Sequence, residues 1–400
     1  MPLRPTRVAL RWGIPYVQPV PGLALGPTTC SLAHLVTVSP PPGRVSLAPL
    51  QEVPPLPTAT VKLTYRARGR VHLPSPPANV WRGQLGYYLH RLASAEQHEQ
   101  DLSLYQRLFR TPRSAVGVPD YGGRVLGAIG LAGEHVPHPF ILRQADPRPP
   151  AEDLRLSPGG QEVVEMILMG GTVRYLPQLT AAFEAIGEDG LGRKVEQPDG
   201  SRGRGPVTLT EASLDIRGVT LDLYDGTEWA LPPTCGPELY EKARALAPTT
   251  AHADNGEADP AEALSVRFRT PTRLKHGGEV VRPEALTPDA LAAPLYRRAV
   301  GMAVCYGQAA PPAAQINDMQ DGFRALADKT TLDKRQVTWT ADHRYSHRQN
   351  RRHPAGGLTG RLRVQAPPEA RALWAQWLRR AERIHLGKTT SMGLGRVATQ

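Results

Sequence analysis

The sequence is poor in cysteine and lacks long apolar runs. Its 400 residues include only three cysteines, Cys30, Cys235 and Cys305, and none of them forms a CxxC pair. This spacing favours neither a zinc site nor a disulfide framework, and so sparse a use of cysteine is typical of a reducing cytoplasm. No apolar run approaches the ~20 residues of a membrane-spanning helix. Prolines interrupt the first apolar stretches, so we expect no signal peptide. We also predict no metal, no cofactor and no membrane contact.

The sequence also has fewer acidic than basic residues. It contains 48 Lys plus Arg against 37 Asp plus Glu, which gives a net charge of +11 at pH 7. An excess of this size favours a polyanionic partner, with nucleic acid ahead of an anionic membrane surface. A genome rich in G and C would also raise the arginine content, and so the charge alone does not identify the partner.

The distribution of proline and of apolar residues divides the chain into an extension and two halves. Residues 1–56 hold 12 prolines, which predict a Pro-rich N-terminal extension of short strands and loops. Regular patterns begin near Thr60, and a segment at 247–261 without apolar periodicity indicates a domain boundary. The predicted divisions are an N-terminal domain at 57–231, a linker at 232–262 and a C-terminal domain at 263–400.

The order of the predicted elements indicates the fold class. The second half follows the order β-α-β-β-α-β, with Thr287 placed to cap its first helix, and the first half follows a longer version of that order. This order is typical of the ferredoxin-like split βαβ fold, whose sheet is also the platform of many RNA-binding modules. We therefore predict an α+β chain of two tandem ferredoxin-like, RNA-recognition-motif-like domains. The predicted strands cover 61–73, 162–168, 206–224, 264–269, 336–348, 358–364 and the C-terminus, and the predicted helices cover 80–94, 176–186, 288–306 and 368–383.

Four stretches, in order along the chain, carry a resemblance to a known family. They are VWRGQLGYYLHRL at 80–92, GGTVRYLPQLTAAFEAIGEDGLGR at 170–193, VRFRTPTRLKHGG at 266–278 and HLGKTTSMGLGR at 385–396. Together they resemble the RAMP-superfamily endoribonucleases that process CRISPR precursor transcripts. The resemblance implies CRISPR repeat RNA as the partner, and it leaves association with other CRISPR effector subunits and a homodimer open. Many relatives carry several cysteines after the first helix, whereas this chain has none there, which argues against a metal-stabilised loop.

The glycine-rich loop near the C-terminus is the first candidate for RNA contact. Gly387, Gly393 and Gly395 allow the backbone to approach a phosphate, exposed amides would form an anion nest, and Lys388 adds a positive charge. The fragment LGKTTS also invites comparison with the phosphate loop of nucleotide-binding enzymes. That motif requires glycine where this chain has Glu382, and it requires the strand before and the helix after. A tight turn between helix and strand is the simpler alternative, but the resemblance favours RNA contact.

A basic stretch at 334–363 is the second candidate. It holds eight Lys or Arg residues against one acid, Asp342, and it includes aromatic residues that can stack on bases. A solvated hairpin tip is the alternative, but the charge density favours a partner. His343 and His347 are four residues apart, which in a strand separates them too far for a shared metal ion. The predicted RNA-binding residues are Lys275, Arg344, His347, Arg348, Arg351, Arg352, Gly387, Lys388, Gly393 and Gly395.

The region around the first helix supplies the candidate catalytic residues. Attack by the ribose 2′-hydroxyl needs a base, an acid and a cation but no metal, because the nucleophile is already tethered beside its phosphate. The resemblance implies a histidine in or just after this helix, often with a tyrosine nearby, and the region contains Tyr87, Tyr88, His90 and His98. We rank His98 first, followed by His90 and Tyr88, with Lys388 as the cation. For each histidine the alternative is a packed structural residue.

These observations predict a metal-independent endoribonuclease of CRISPR repeat RNA. It would leave 2′,3′-cyclic phosphate and 5′-hydroxyl ends and so produce mature guide RNA. One alternative is a non-catalytic RNA-binding subunit of a CRISPR effector complex with the same fold. Another is a ferredoxin-like metabolic enzyme that acts on an acidic small molecule, but the basic stretch and the paired domains argue against it.

Overall fold

A computed structural model of the chain describes residues 46–96, 102–116, 126–131, 133–149, 152–246, 264–307, 311–346 and 351–400. Within these ranges, only the backbone is described at 92–96, 313, 344–346 and 351–352. Most of the Pro-rich N-terminal extension at 1–56 therefore lies outside the described residues. The described part contains a short 3-10 helix at Ala48–Leu50, and Leu50 is buried in the core of the second half.

The first half forms a five-stranded antiparallel sheet with two helices packed on it. Its elements are β1 (Thr58–Ala67), β2 (Val71–Leu73), α1 (Pro77–Glu96), β3 (Phe140–Gln144), β4 (Leu154–Leu156), β5 (Gln161–Met169), α2 (Leu176–Asp189), β6 (Leu191–Glu196), β7 (Arg202–Gly205), β8 (Val207–Ile216) and β9 (Val219–Tyr224). The main sheet has the strand order β3-β5-β1-β8-β9. Apart from the edge strand β9, this order and the connection β1-α1-β3-β5-α2-β8 are those of the ferredoxin-like fold, as predicted.

Alternation of apolar residues explains the central strand, and four-residue spacing explains the first helix. Along β1, Val61, Leu63 and Tyr65 are buried at every second position. In α1, Trp81 and Leu85 are buried one turn apart, and the Trp81 ring lies 4.5 Å from the Tyr65 ring. The core of the first half therefore lies between β1 and α1, and the opposite side of α1 is left for other contacts.

The strand that the sequence predicts at 61–73 is divided between the main sheet and a second, smaller sheet. The chain turns after β1, and β2 joins a sheet of order β4-β2-β6-β7. Gln197 holds this turn, because its Oε1 accepts from the Arg70 amide at 2.9 Å and its Nε2 donates to the Arg70 carbonyl at 3.1 Å. The predicted single strand is thus two strands in different sheets.

The second half forms a four-stranded antiparallel sheet with three helices. Its elements, after a helix α3 (Glu238–Leu246), are β10 (Leu264–Thr272), β11 (Lys275–His276), β12 (Glu279–Val280), α4 (Pro288–Tyr306), α5 (Ala313–Asp328), β13 (Thr331–Thr340), β14 (His343–Ser346), β15 (Arg351–Pro354), β16 (Gly357–Gln365), α6 (Pro368–Ile384) and β17 (Val397–Thr399). The strand order β13-β16-β10-β17 is again ferredoxin-like, so the α+β fold with two such units is confirmed.

Three details of the second half bear on the sequence predictions. Thr287 is the N-cap of α4, since its Oγ1 accepts from the Ala290 amide at 3.2 Å, as predicted. Helix α5 is an addition between α4 and β13 that the sequence analysis does not contain. The predicted strand at 336–348 is divided, because β14 leaves the main sheet and pairs with β15 in a separate two-stranded hairpin.

The predicted linker at 232–262 contains helix α3, which packs on the first half. Tyr240 is buried there, and its hydroxyl donates to the Gly170 carbonyl at 2.8 Å. Residues 45–400 form one compact unit, and Ile141 and Ile167 of the first half lie in the core of the second. The exact division of the chain into domains stays a prediction.

Candidate nucleic-acid interface

A large cleft of about 2130 Å³ is lined by residues from both halves of the described chain. One wall consists of α1 and the segments after it, and the other contains β11, α4 and the glycine-rich loop between α6 and β17. The β14–β15 hairpin also reaches the cleft, through His343 at the start of β14. The cleft is therefore lined both by the first helix, for which the sequence predicts catalytic residues, and by the glycine-rich loop, for which it predicts RNA contact.

Helix α1 presents His90 and Tyr87 to the cleft but buries Tyr88. His90 is exposed, and its ring lies edge-on to the Tyr105 ring at 5.2 Å. The Tyr88 ring is buried, and its hydroxyl donates to Asp189 Oδ2 at 2.5 Å. Burial and this hydrogen bond raise the pKa of Tyr88 above its ordinary value. Of the predicted catalytic residues on α1, His90 thus lines the cleft and Tyr88 supports the helix.

Several predicted site residues are not located in detail. His98, His347 and Arg348 lie outside the described residues. Arg344, Arg351 and Arg352 are placed on the β14–β15 hairpin by their backbone alone. Their predicted roles stay predictions.

The glycine-rich loop has left-handed backbone at all three predicted glycines. The φ angles are +89° at Gly387, +76° at Gly393 and +75° at Gly395, a region that glycine adopts without strain. A Cβ at Gly395 would lie 2.0 Å from the Leu386 carbonyl oxygen, and one at Gly393 would meet the β3 backbone at 3.1 Å. Only Gly387 lines the cleft, so Gly393 and Gly395 are required for the close packing of the loop.

Three amides of this loop are not available to the predicted nest. Lys388 N donates to the Arg273 carbonyl at 3.0 Å, Gly393 N to the Thr390 carbonyl at 3.0 Å, and Gly395 N to the Pro271 carbonyl at 3.1 Å. These three donors are occupied within the protein, and contact of the loop with RNA stays a prediction. The side chain of Lys388, by contrast, is exposed and lines the cleft.

Three cationic side chains lie near Lys388. Partial desolvation and the nearby charges of Lys275, Arg297 and Arg298 lower the pKa of Lys388. The cations are held in place by backbone: Arg297 Nη2 donates to the Lys275 carbonyl at 2.8 Å, and Arg298 Nε and Nη2 donate to the Ile384 carbonyl at 3.1 and 2.8 Å. Burial lowers the pKa of Arg298 to about 10. Clustered cations of this kind are stabilised by a bound anion such as phosphate.

Part of the basic stretch at 334–363 serves the fold. Lys334 Nζ donates to the Glu284 carbonyl at 2.6 Å, and Arg335 forms an ion pair of 2.7 Å with Asp333. Asp342, the one acid of the stretch, accepts a hydrogen bond from Ser75 Oγ at 3.3 Å and so links the base of the hairpin to the first half. The charge available for a partner is therefore smaller than the composition suggests.

The cleft also contains two histidines that the sequence analysis missed. His135 and His138 precede β3 in a segment without regular structure, and both line the cleft. Burial, followed by the charge of Arg82, lowers the pKa of His138 to about 3. Its Nε2 accepts a hydrogen bond from Arg82 Nη2 at 3.3 Å. Neutral His138 thus orients Arg82, and no pattern in the sequence points to this pair.

Among the described residues, no group of three or more His, Cys, Asp or Glu side chains is arranged to hold a metal ion. None of the helices in the described ranges is long and apolar enough to cross a membrane.

Comparison with known proteins gives matches over both halves. A family model described as an N-terminal domain matches residues 56–232, and one described as the CRISPR-associated endoribonuclease Cas6 matches residues 266–397. No curated protein matches the chain.

The chain is similar, at low identity, to solved structures of Cas6 proteins. A Cas6 product complex is 16% identical, with 86% of this chain and 99% of that chain covered and a TM-score of 0.46. A Cas6 from Thermus thermophilus is 15% identical, with 86% and 99% covered and a TM-score of 0.39. A partial Cas6-RT-Cas1–Cas2 complex is 11% identical, with 86% and 46% covered and a TM-score of 0.46.

The Cas6 model matches the part of the chain that runs from the Thr-Pro strand to the glycine-rich loop, two of the four stretches that carry the resemblance found in the sequence. The C-terminal part of the chain, residues 266–397, thus matches the CRISPR-associated endoribonuclease Cas6 family, in agreement with the resemblance found in the sequence.

Proposed function

We propose that this protein cleaves CRISPR precursor RNA within the repeat without a metal ion. The ribose 2′-hydroxyl at the cut attacks the adjacent phosphate and displaces the 5′-oxygen of the next nucleotide. The products are a 2′,3′-cyclic phosphate end and a 5′-hydroxyl end, and the released fragment is the mature guide RNA. The observation that carries the proposal is the cleft, which joins a histidine-bearing wall to a cluster of cations.

The two walls match the needs of this reaction. A histidine on or after α1 accepts the proton of the 2′-hydroxyl or donates one to the leaving oxygen, and it needs no metal because the nucleophile is already in place. His90 is in the cleft, and His98 follows eight residues later in the chain. The cations around Lys388 stabilise the extra negative charge of the phosphate during the attack.

The contacts of Tyr88 favour a supporting role over a catalytic one. Its hydroxyl already donates to Asp189, and its raised pKa makes loss of the proton harder. We assign Tyr88 to the support of α1, and we assign the proton transfers to the histidines. Arg344, Arg351 and Arg352 would hold the repeat RNA outside the cut site, since they belong to the β14–β15 hairpin, whose first residue, His343, lines the cleft. We assign the same role to His347 and Arg348, which lie outside the described residues.

The direct test of this function is a cleavage assay with purified protein and its own repeat RNA in excess EDTA. We expect cleavage at one position, at a rate that Mg²⁺ does not change. End-group analysis should give a cyclic phosphate and a 5′-hydroxyl. Tight binding without cleavage would instead support a non-catalytic RNA-binding subunit of a CRISPR effector complex, and loss of cleavage in EDTA would contradict the metal-independent mechanism.

A Lys388→Ala variant is expected to lower both affinity and cleavage rate. The ammonium contacts the phosphate in the bound state and in the transition state, so affinity should fall about tenfold, the scale of a lost hydrogen bond to a charged group. The single-turnover rate at saturating RNA should fall by about tenfold or more, because charge stabilisation is stronger in the transition state. Anisotropy titration and single-turnover kinetics measure the two effects.

The matched control is Lys329→Ala, which removes an exposed lysine at the end of α5, outside the cleft. This variant should keep the wild-type affinity and rate. Equal behaviour of the two variants would remove Lys388 from the site.

A further inference from the structure

One large aromatic side chain in the cleft is exposed to solvent. Tyr87 is 52% exposed and, together with Leu246, is one of the two large hydrophobic side chains that are exposed among the described residues. Leu246 is at the end of α3, away from the cleft, whereas Tyr87 lines it. A large exposed aromatic within a concave, cationic surface is a mark of a binding site rather than of the fold.

The Tyr87 ring is held in position by its neighbours. It meets the Tyr88 ring edge-on, with centroids 5.4 Å apart and planes at 76°. Tyr88 is itself fixed by burial and by its hydrogen bond to Asp189. The guanidinium of Arg91 lies 5.6 Å from the centroid of the Tyr87 ring. Because the ring is ordered before a ligand arrives, stacking on it loses less conformational entropy.

The remainder of this wall continues the aromatic surface. Tyr105 and Phe109 also line the cleft, with nearly parallel rings whose centroids are 5.3 Å apart. Phe109 packs against α1 at Gly86, where a Cβ would lie 3.0 Å from its Cε1 atom. The cleft thus combines aromatic side chains on and after α1 with cationic side chains, including those around Lys388.

We infer that Tyr87 is the stacking platform for one unpaired base of the bound RNA, with a purine preferred. The inference rests on the proposed function for the identity of the ligand. A cleft that holds both exposed aromatic rings and cations suits single-stranded RNA, because bases stack on rings while phosphates are neutralised by cations. A purine is preferred because its larger face stacks more strongly. In this role the Tyr87 ring stacks on the base and the hydroxyl is not needed. Tyr87 therefore positions the RNA and takes no part in the proton transfers.

The test is a binding cycle on repeat RNA that carries a 2′-deoxy nucleotide at the cut, so that cleavage does not interfere. Tyr87→Ala should weaken binding about tenfold, within the range for loss of one stacked base. Tyr87→Phe should bind within about twofold of the wild type, because it keeps the ring. The control Leu246→Ala removes the other exposed apolar side chain and should change nothing.

Abasic substitutions, placed one at a time along the unpaired part of the repeat, then identify the base. At one position, Tyr87→Ala should cause no further loss, because the base that it stacks on is already gone. At that position a purine should bind more tightly than a pyrimidine. Losses that add at every position, or equal losses for Tyr87→Phe and Tyr87→Ala, would overturn the inference. Failure of the wild-type protein to bind repeat RNA at all would overturn the proposed function instead.

Discussion

A repeat RNA with a single 2′-deoxy nucleotide at the cut site is expected to bind with unchanged affinity and to remain uncut. The 2′-hydroxyl is the nucleophile of the proposed reaction, and no other group in that mechanism can replace it. Affinity is kept because the phosphate that the cations around Lys388 would contact is left intact by the substitution. Competition binding and a long cleavage time course with the same labelled RNA measure both quantities.

The control for this experiment moves the deoxy nucleotide by one position to either side of the cut. These RNAs should be cleaved at the native site and within a few-fold of the native rate. If the RNA that is deoxy at the cut is still cleaved, the attacking group is water, and the enzyme would be a water-activating nuclease with different end groups.

Substitution of the catalytic histidine is expected to lower the cleavage rate by ~10² or more, the scale of a lost general acid or base. We expect this for His98→Ala, because His98 is ranked first among the histidines in or just after the first helix. Affinity for the repeat should barely change, because the imidazole acts only in the transition state. The pH–rate profile of the variant should lose one limb, which a merely structural defect would not cause.

His90→Ala is the parallel variant, since His90 is the predicted histidine that lines the cleft. A native rate for His98→Ala would assign catalysis to His90, and then to His343 or His347. His276→Ala serves as the control, because His276 forms a surface ion pair of 3.1 Å with Asp289 and is not among the cleft residues. If every one of these variants cuts at the native rate, the proton transfers do not use these histidines.

The fold could be predicted largely from the sequence because its signals are local. For helix α4, both the spacing of the apolar residues and the capping residue Thr287 can be recognised within one short segment of the sequence. Helix α5 is absent from the prediction although Ile316, Met319 and Phe323 recur at helical spacing after Pro312, which stands at the start of the helix. The division of the predicted strand at 61–73 depends on the contacts of a distant glutamine, which no local pattern shows.

The site could be predicted only where a motif carries it. The glycine-rich loop and His90 belong to stretches that resemble the family. Arg297 and Arg298 are ordinary residues of a helix in the sequence, and only the tertiary fold brings them beside Lys388. The sequence also does not distinguish a glycine that faces a ligand from one such as Gly395, which is required by a positive φ and by the Leu386 carbonyl.

The glycine-rich loop is also part of the seam between the two ferredoxin-like units. Gly393 packs against the backbone of β3, and Arg396 Nη1 donates to the Ala145 carbonyl at 2.7 Å. The Arg143 guanidinium lies 3.2 Å from Nε2 of His385, which is fully buried. The conformation of the loop therefore depends on contacts with both units. In a chimaera of two such proteins, β3 of one parent and the loop of the other would have to be exchanged together, because neither retains its form against a foreign partner.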